Sequence, residues 1–451
     1  MKILIAGGGQ TAVLVAKRLI KEGNELVIIE KNPTRCEYLE EILDAQIVLG
    51  DAASIRTLEE AGIKNAEMLI ALTSEDQINV IVCLVASIES EIKVKLVRMR
   101  THEVEDWKKI FDGLGLKIDL IIHPETEIAD RILRVVRLPG VSDVIDFAEG
   151  KVKLFGMNID EENWVAGKTV EDLDKAGPPK NSLIAMIFRG QEVIIPHGAQ
   201  VLNPGDHVYI VTTDQDLKSV VKFMGLKRQK ALNRVFILGG KQVGIRVAEL
   251  LESQGVRVKI FERDMNRCNK ISQILKQAVV IHADGTDEGV LVDENIKGVG
   301  AFLAMTNDDE DNIIASLLAR KLGANKIIAL INRLNYLPMI QRFGINTSVS
   351  PRLATVDRIL QFVRKGRVLS VTSFREEEAE AIELIATPGS KYVGRLLKEI
   401  KLPRGAIVGA IARPNGEVIV PRGDVEVKAG DRVIFFSLET IVPLLESTFL
   451  K

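Results

Sequence analysis

Two glycine-rich turns carry the residues best suited to chemistry in this chain. The run Ile3-Leu4-Ile5-Ala6-Gly7-Gly8-Gly9-Gln10-Thr11-Ala12 is matched by Val235-Phe236-Ile237-Leu238-Gly239-Gly240-Lys241-Gln242-Val243-Gly244, about 232 residues later (239 − 7). The first turn reads GxGxxA. Gly7 permits the sharp turn, Gly9 lets backbone approach a diphosphate, and Ala12 lets the next helix pack close to the strand. The main-chain amides of Gly7, Gly8, Gly9, Gln10 and Thr11 would then meet phosphate at a helix N-terminus. Glu30 closes the next apolar strand, Leu26-Val27-Ile28-Ile29. It would accept hydrogen bonds from ribose hydroxyls, and its charge disfavours a 2′-phosphate, which favours NAD over NADP.

The second turn reads GxKxxG. Lys241 stands where Gly9 stood, so its side chain either obstructs the pyrophosphate path or touches phosphate with its ammonium. The amides of Gly239, Gly240, Lys241, Gln242 and Val243 and the acid Glu262 are the matching candidates. Arg263, beside that acid, either contacts phosphate or is solvated. Asp51 and Asp284 follow the third strands, at the adenine or ribose edge or as helix N-caps. Thr73-Ser74 and Thr306-Asn307 end the fourth strands at the crevice mouth. Ser74 with Gln77, and Asn307 with Glu310, also read as capping boxes. Arg98 is a charge inside an apolar strand and needs an anionic partner, either ligand phosphate or a carboxylate. Counting by the repeat, its counterpart is Ile331, which suggests a weaker second site.

These residues belong to a duplication that runs well beyond the glycines. Leu26–Glu30 matches Val256–Glu262, and Gly50-Asp51-Ala52 matches Ala283-Asp284-Gly285. Ala71-Leu72-Thr73 with Asn79 matches Ala304-Met305-Thr306 with Asn312, and Asp130-Arg131-Ile132-Leu133 recurs as Asp357-Arg358-Ile359-Leu360. Strands alternating with amphipathic helices predict a parallel doubly wound sheet in each copy. After about residue 138 short strands broken by Gly and Pro predict a smaller α+β lobe. Ile195-Pro196-His197-Gly198 and Pro204-Gly205-Asp206 have their partners in Val420-Pro421-Arg422-Gly423 and Ala429-Gly430-Asp431. The expected layout is Rossmann-like domains at 1–137 and 233–364 and α+β lobes at 138–227 and 365–451. Hinges are expected near Leu138-Pro139-Gly140 and Lys365-Gly366, and Lys227-Arg228-Gln229-Lys230 reads as a linker or as the end of a helix.

Composition narrows the function. The 451 residues carry a formal net charge of −2 and only 4% aromatics, which gives no footprint for nucleic acid. Three scattered cysteines form no CxxC, and Cys36 reads as a packed thiol. The chain enters a strand at Lys2 without a signal-peptide core. Its longest apolar run, Val80 to Ile88, is far short of the roughly 20 residues that span a bilayer. Asp308-Asp309-Glu310-Asp311 reads as a helix's acidic first turn rather than a metal loop. No histidine pair, GxSxG elbow, GKS/GKT loop or redox motif is present, and His207 reads as a surface turn residue. No catalytic residue and no enzyme activity are expected.

In sum of motifs (GGGQTA, VIIE, GDAAS, ALTSEDQIN, DRIL and IPHG…NPGDHVYIV) the chain resembles the RCK (KTN) regulatory modules of potassium channels and transporters, over essentially its whole length. The resemblance implies a cytoplasmic homo-oligomeric ring, a tetramer in such proteins, held at the inner face of the membrane by a membrane-embedded potassium channel or transporter subunit. It implies NAD(H), with ATP or ADP as further ligands, acting on ring shape rather than in a reaction. It also implies dinucleotide contacts at Gly7 to Thr11, Glu30, Thr73, Ser74 and Arg98, and at Gly239 to Val243 and Glu262. A regulator of another ion transporter, such as an antiporter, and an NAD-dependent oxidoreductase are the alternatives.

Overall fold

The computed structural model describes residues 1–100, 104–138, 140–190, 192–226, 232–343, 345, 347–363, 368–374 and 379–449. Pro139, Lys365-Gly366 and Lys227-Arg228-Gln229-Lys230, named above as hinge and linker positions, lie outside them.

Two compact units divide the chain. The first comprises Met1–Ile128 with Ser350–Val363. Its sheet has six parallel strands, in the order 46–49, 25–30, 2–6, 68–71, 94–98 and 120–122. The strands are short apolar runs, and the middle ones are buried on both faces, as a sheet wrapped by helices requires. The helix Gln10–Lys21 buries Ala12, Val13, Val15, Ala16 and Leu19 at helical spacing. Its last turn is followed by Gly23 at φ +77°, the left-handed position that ends a helix. Helix Pro351–Val363, from the second repeat, packs Val356, Ile359 and Leu360 into this unit's core against Ile3, Leu19 and Leu96. The recurring Asp-Arg-Ile-Leu segment therefore serves a sheet outside its own repeat.

The second unit comprises Ala129–Val349 with Arg364–Lys451. It holds a second six-stranded parallel sheet in the same order: 279–282, 257–262, 234–238, 301–304, 327–330 and 348–349. It also holds both lobes, each a five-stranded antiparallel sheet of matching order. Sequence reading anticipated the lobe strands at 152, 183, 192 and 207 but missed Val141–Phe147, where serine and aspartates interrupt the apolar alternation. The lobes share one core, with Tyr209 and Phe374 ring centroids 4.7 Å apart.

At one matched place the lobes differ. Glu383, 1% exposed, takes Arg432 Nε at 2.5 Å and the Ala148 amide at 3.2 Å. The first lobe has Gly156 and His207 there. An added Cβ on Gly156 would come within 2.8 Å of His207 Nε2. His207 is therefore not a surface turn residue: it is half-buried, bonds Asn158 Oδ1 at 2.5 Å and meets the Tyr209 ring edge-on.

A buried lysine is held by backbone carbonyls. Lys326 is 7% exposed, and its ammonium donates to the carbonyls of Val135 (2.5 Å), Leu138 (2.8 Å) and Val141 (2.8 Å). Val135 lies in the last turn of the helix Pro124–Val136, and Leu138 and Val141 flank the expected hinge, where Gly140 adopts φ +69°. A helix C-terminus leaves carbonyls without intrahelical donors, and a cation there is favoured. Burial nevertheless pushes this ammonium down to about 7.

Candidate functional site

Each glycine turn is built by its own first residues. Gly7 sits at φ +100° and Gly239 at φ +101°. An added Cβ would press on the backbone of Thr73 (3.0 Å) or on the Thr306 amide (2.9 Å). Both turns thus wedge against the end of the fourth strand. Gly8 and Gly240 are needed for a different reason, since a Cβ there would collide with Leu39 of helix Pro33–Ile42 or Ile271 of helix Met265–Ile274. Gly9 is unlike these. Its φ is −67°, and an added Cβ would meet nothing within 4 Å. No packing demand inside the protein explains a glycine at this position.

The acids closing the second strands hold the turns. Glu30 accepts from the Gly8 and Asn32 amides, both at 2.9 Å. Glu262 accepts from the Gly240 and Asp264 amides at 2.9 Å and also pairs with Arg267 at 3.1 Å. Burial alone would raise the Glu262 carboxyl, but the Asp264 and Gly240 amides and Arg267 together bring it below its ordinary value. The homologous Arg35 instead donates to the Gly8 carbonyl at 2.9 Å and lies over the Tyr38 ring. Helices Gln10–Lys21 and Gln242–Glu252 begin without a side-chain cap, whereas the next helix in each repeat is capped by Asn32 or Asp264. The uncapped first-turn amides remain available to an anion. Thr11 and Val243 are buried, so only their main chains can serve that purpose.

Thr73 and Thr306 end their strands beside the turns, but their hydroxyls are engaged. Thr73 Oγ1 bonds Asn79 Oδ1 at 2.7 Å, and Thr306 Oγ1 bonds Asn312 Oδ1 at 2.8 Å. Asn79 and Asn312 are wholly buried and also bind the carbonyls of Arg98 and Leu330, fastening the fourth strand to the fifth. Sequence reading used these asparagines as landmarks and missed their role. A polar residue recurring inside an apolar helix was the available signal.

Several sequence readings need correction. Ser74 and Asn307 do not cap the fourth helices. The N-cap positions belong to Glu75 and Asp308, and Asp308 accepts from the Asp311 amide. Thr73 and Thr306 take up the intervening residues in tight hydroxyl turns. Asp51 and Asp284 are not N-caps either, because Ser54 and Asp287 are. They shape turns three residues before those caps by accepting from the Ala53 and Thr286 amides. Ile331 is not the counterpart of Arg98. Val97 pairs with Ala71 as Ala329 pairs with Ala304, so Leu330 stands at the Arg98 position, the second repeat being one residue shorter there. The position remains apolar and buried.

Arg98 donates to the Thr73 carbonyl at 2.6 Å. Burial, then the like charge of Arg100, push its guanidinium down to about 10, against the opposing pull of Glu125 and Asp76. Among the described residues no carboxylate lies within ion-pair distance of it. In the second repeat a cavity of about 560 Å³ opens over the turn, lined by Gly239, Lys241, Glu262, Arg263, Thr306 and Asp311 among others. Cys36 and Cys268 pack behind the acids, and burial raises both thiols. Among the described residues no group of three His, Cys, Asp or Glu could hold a metal, and no helix is long and apolar enough to cross a membrane.

Two Rossmann-type domains with paired antiparallel lobes, each presenting amides over a glycine turn, define a tandem module of the nucleotide-binding regulatory class. Family models agree: the TrkA-N domain matches residues 3–124 and 235–351, and the TrkA-C domain matches 154–225 and 381–447. The chain belongs to the TrkA family. It is 35% identical over 442 residues to the Trk system potassium uptake protein TrkA of Halomonas elongata, covering 97% of this chain and 96% of that one. It is 31% identical to the TrkA homolog of Archaeoglobus fulgidus, over the full length of both. Among solved structures, the GsuK RCK domain matches with a TM-score of 0.61 at 18% identity, covering 100% of this chain and 95% of that one. The GsuK channel bound to NAD matches with the same score and covers 79% of that chain.

Proposed function

We propose that this chain is the nucleotide-sensing regulatory subunit of a potassium-uptake system and that it works without catalysis. The observation that carries the reading is Gly9: a glycine with open space over it at an uncapped helix start. Backbone approach by a phosphate accounts for it, and nothing in the chain's own packing does. The relatives' names supply the system, potassium uptake.

In this reading 1–137 and 233–364 are the nucleotide domains, and 138–227 and 365–451 are the assembling lobes. The first crevice holds NAD(H): the amides of Gly7 to Thr11 take the diphosphate, Glu30 and Asp51 the ribose edge, Thr73 and Ser74 the mouth, and Arg98 an anionic group. The second crevice uses Gly239 to Val243 and Glu262, and ATP or ADP competes. Four chains form a ring on the cytoplasmic face of a membrane-embedded potassium channel or transporter subunit. Ligands that fit one ring shape better shift the population toward it. A nearly complete shift needs about 5.5 kcal/mol of differential affinity, which several sites contributing roughly 1–3 kcal/mol each supply together.

The test is calorimetric titration of NADH into the wild type and Glu30→Ala. The expected result is at least a roughly tenfold loss of affinity at one class of site, equivalent to about 1.4 kcal/mol. Unchanged isotherms would remove Glu30 from the site. Steady NADH oxidation by the purified chain would overturn the non-catalytic reading.

A further inference from the structure

The arginine beside the second acid is half-exposed and bonded to two carboxylates. Arg263 Nη2 donates to Asp284 Oδ1 at 2.7 Å and to Thr286 Oγ1 at 3.2 Å, while Nη1 donates to Asp311 Oδ2 at 2.8 Å. Asp284 is itself fixed by the Thr286 amide and hydroxyl, at 2.9 and 2.7 Å. The guanidinium is therefore pinned between the turn after the third strand and the helix after the fourth. It spans the side of the cavity that Glu262 and Thr306 also line.

The donors of a guanidinium lie in its plane. With both terminal nitrogens bonded to carboxylates, the charge is already answered within the plane, and the faces are what a neutral ring could use. The side chain is 49% exposed, so a face is open to the cavity. A phosphate at this place would be repelled by both Asp284 and Asp311. A flat, neutral aromatic ring meets no such penalty and gains stacking on a cation whose geometry is already fixed.

We propose that Arg263 is the platform on which the base of a purine nucleotide stacks in the second crevice. The proposal rests on the nucleotide reading above and adds which part of the ligand this residue recognises. Phosphate binding is left to Lys241 and the helix amides. Among the described residues the first crevice has no equivalent platform. Lys31 pairs with Glu75 at 3.1 Å, an ammonium without a flat face, and Asp51 bonds only its own turn. The second crevice therefore depends on the base for its affinity more than the first does.

The test uses the full chain carrying Gly9→Phe. That side chain meets no protein atom near its Cβ but fills the phosphate path of the first crevice, isolating the second. Etheno-ADP, a fluorescent adenine analogue quenched on stacking, is titrated into this chain with and without Arg263→Ala or Arg263→Lys. Arg263→Ala is expected to weaken binding roughly tenfold and to abolish the quench of the bound probe, the scale of one stacked base. Arg263→Lys keeps the charge and is expected to recover little of the quench. A role limited to stapling Asp284 to Asp311 would alter affinity but leave the bound probe quenched, and that result overturns the proposal. Unchanged affinity and quench in Arg263→Ala overturn it too, while leaving the nucleotide reading intact. No binding of etheno-ADP to the Gly9→Phe chain would remove the second crevice from the nucleotide reading and the proposal with it.

Discussion

The two crevices share one backbone plan and differ in how far their own side chains occupy it. In the first, Glu30 holds two amides, Arg98 is half-buried against a carbonyl, and the space over Gly9 is open. In the second, the acid is already paired with Arg267, Arg263 bridges two carboxylates, and Lys241 occupies the position of Gly9. The helix also sits tighter there. An added Cβ on Gly244 would come within 2.1 Å of the Gly239 carbonyl oxygen, whereas Ala12 carries a Cβ at the matching position. A duplicated fold thus keeps the features that shape the turn and varies those that meet the ligand.

The largest expected effect marks a difference outside the crevices. Lys326 has Val94 at the matching sheet register of the first repeat. Its folded value, about 7, lies below the ordinary 10.5. Between those values the unfolded chain holds the proton and the folded chain does not. Stability of the second unit should therefore rise as the pH climbs from about 7 to 10.5 and be level on either side. The ceiling is about 5 kcal/mol, from a shift of about 3.5 units (10.5 − 7) at about 1.4 kcal/mol each. Three accepting carbonyls pull the other way and reduce it. Urea unfolding across that range, in wild type and Lys326→Met, checks the slope. A slope that persists in the variant would assign it to another group.

Next comes the contrast between Gly7 and Gly9. Gly7→Ala forces an alanine to φ +100° against backbone at 3.0 Å and should cost the first unit about 3 kcal/mol or more. Gly9→Ala should cost well under about 1 kcal/mol, because its φ is ordinary and its Cβ meets nothing. It should still weaken nucleotide binding. Hydrogen exchange of the first sheet, read beside a titration, separates the two effects. Equal losses of stability would undo the assignment of Gly9 to a ligand.

Acid should then distinguish the repeats from the second side. Glu262 and Asp284 are both held below their ordinary values, the Glu262 carboxyl against the cost of burial. For depressed carboxyls the contribution is complete above the ordinary values of 4.5 and 3.8 and disappears as the pH falls through the lower folded ones. Glu262→Gln should flatten the loss of second-unit helicity in that acid range. An identical acid transition in wild type and variant would place the dependence elsewhere.

Much of this was legible from residue order. The glycine turns, the closing acids and the alternation of strands and helices depend on local geometry, which spacing encodes directly. The parallel sheet of each copy followed. What was not legible depends on tertiary register. A single residue missing between the fourth helix and fifth strand moved the Arg98 counterpart from Ile331 to Leu330. Turn hydroxyls and Asx turns compete with helix caps using the same residue types, so Ser74, Asp51 and Asp284 fitted either role. The three carbonyls around Lys326 belong to segments about 190 residues away, and no spacing rule connects them.

The smallest effect is the most discriminating. Lys241→Gly would give the second turn the composition of the first. Lys241 lies at φ −91°, a region open to any residue, so the added backbone freedom should cost only about 0.5–1 kcal/mol of stability. If the lysine obstructs the diphosphate, dinucleotide affinity of the second crevice should rise, by roughly tenfold if a contact worth about 1.4 kcal/mol is recovered. If its ammonium instead binds phosphate, affinity should fall by a similar factor, and the fall should shrink as salt is raised because the lost contact is ionic. Titration of NADH and ADP at two salt concentrations reads both sign and salt slope. A gain for NADH with a loss for ADP would mean that the substitution of one glycine turned a copied dinucleotide crevice into one for shorter, more highly charged ligands.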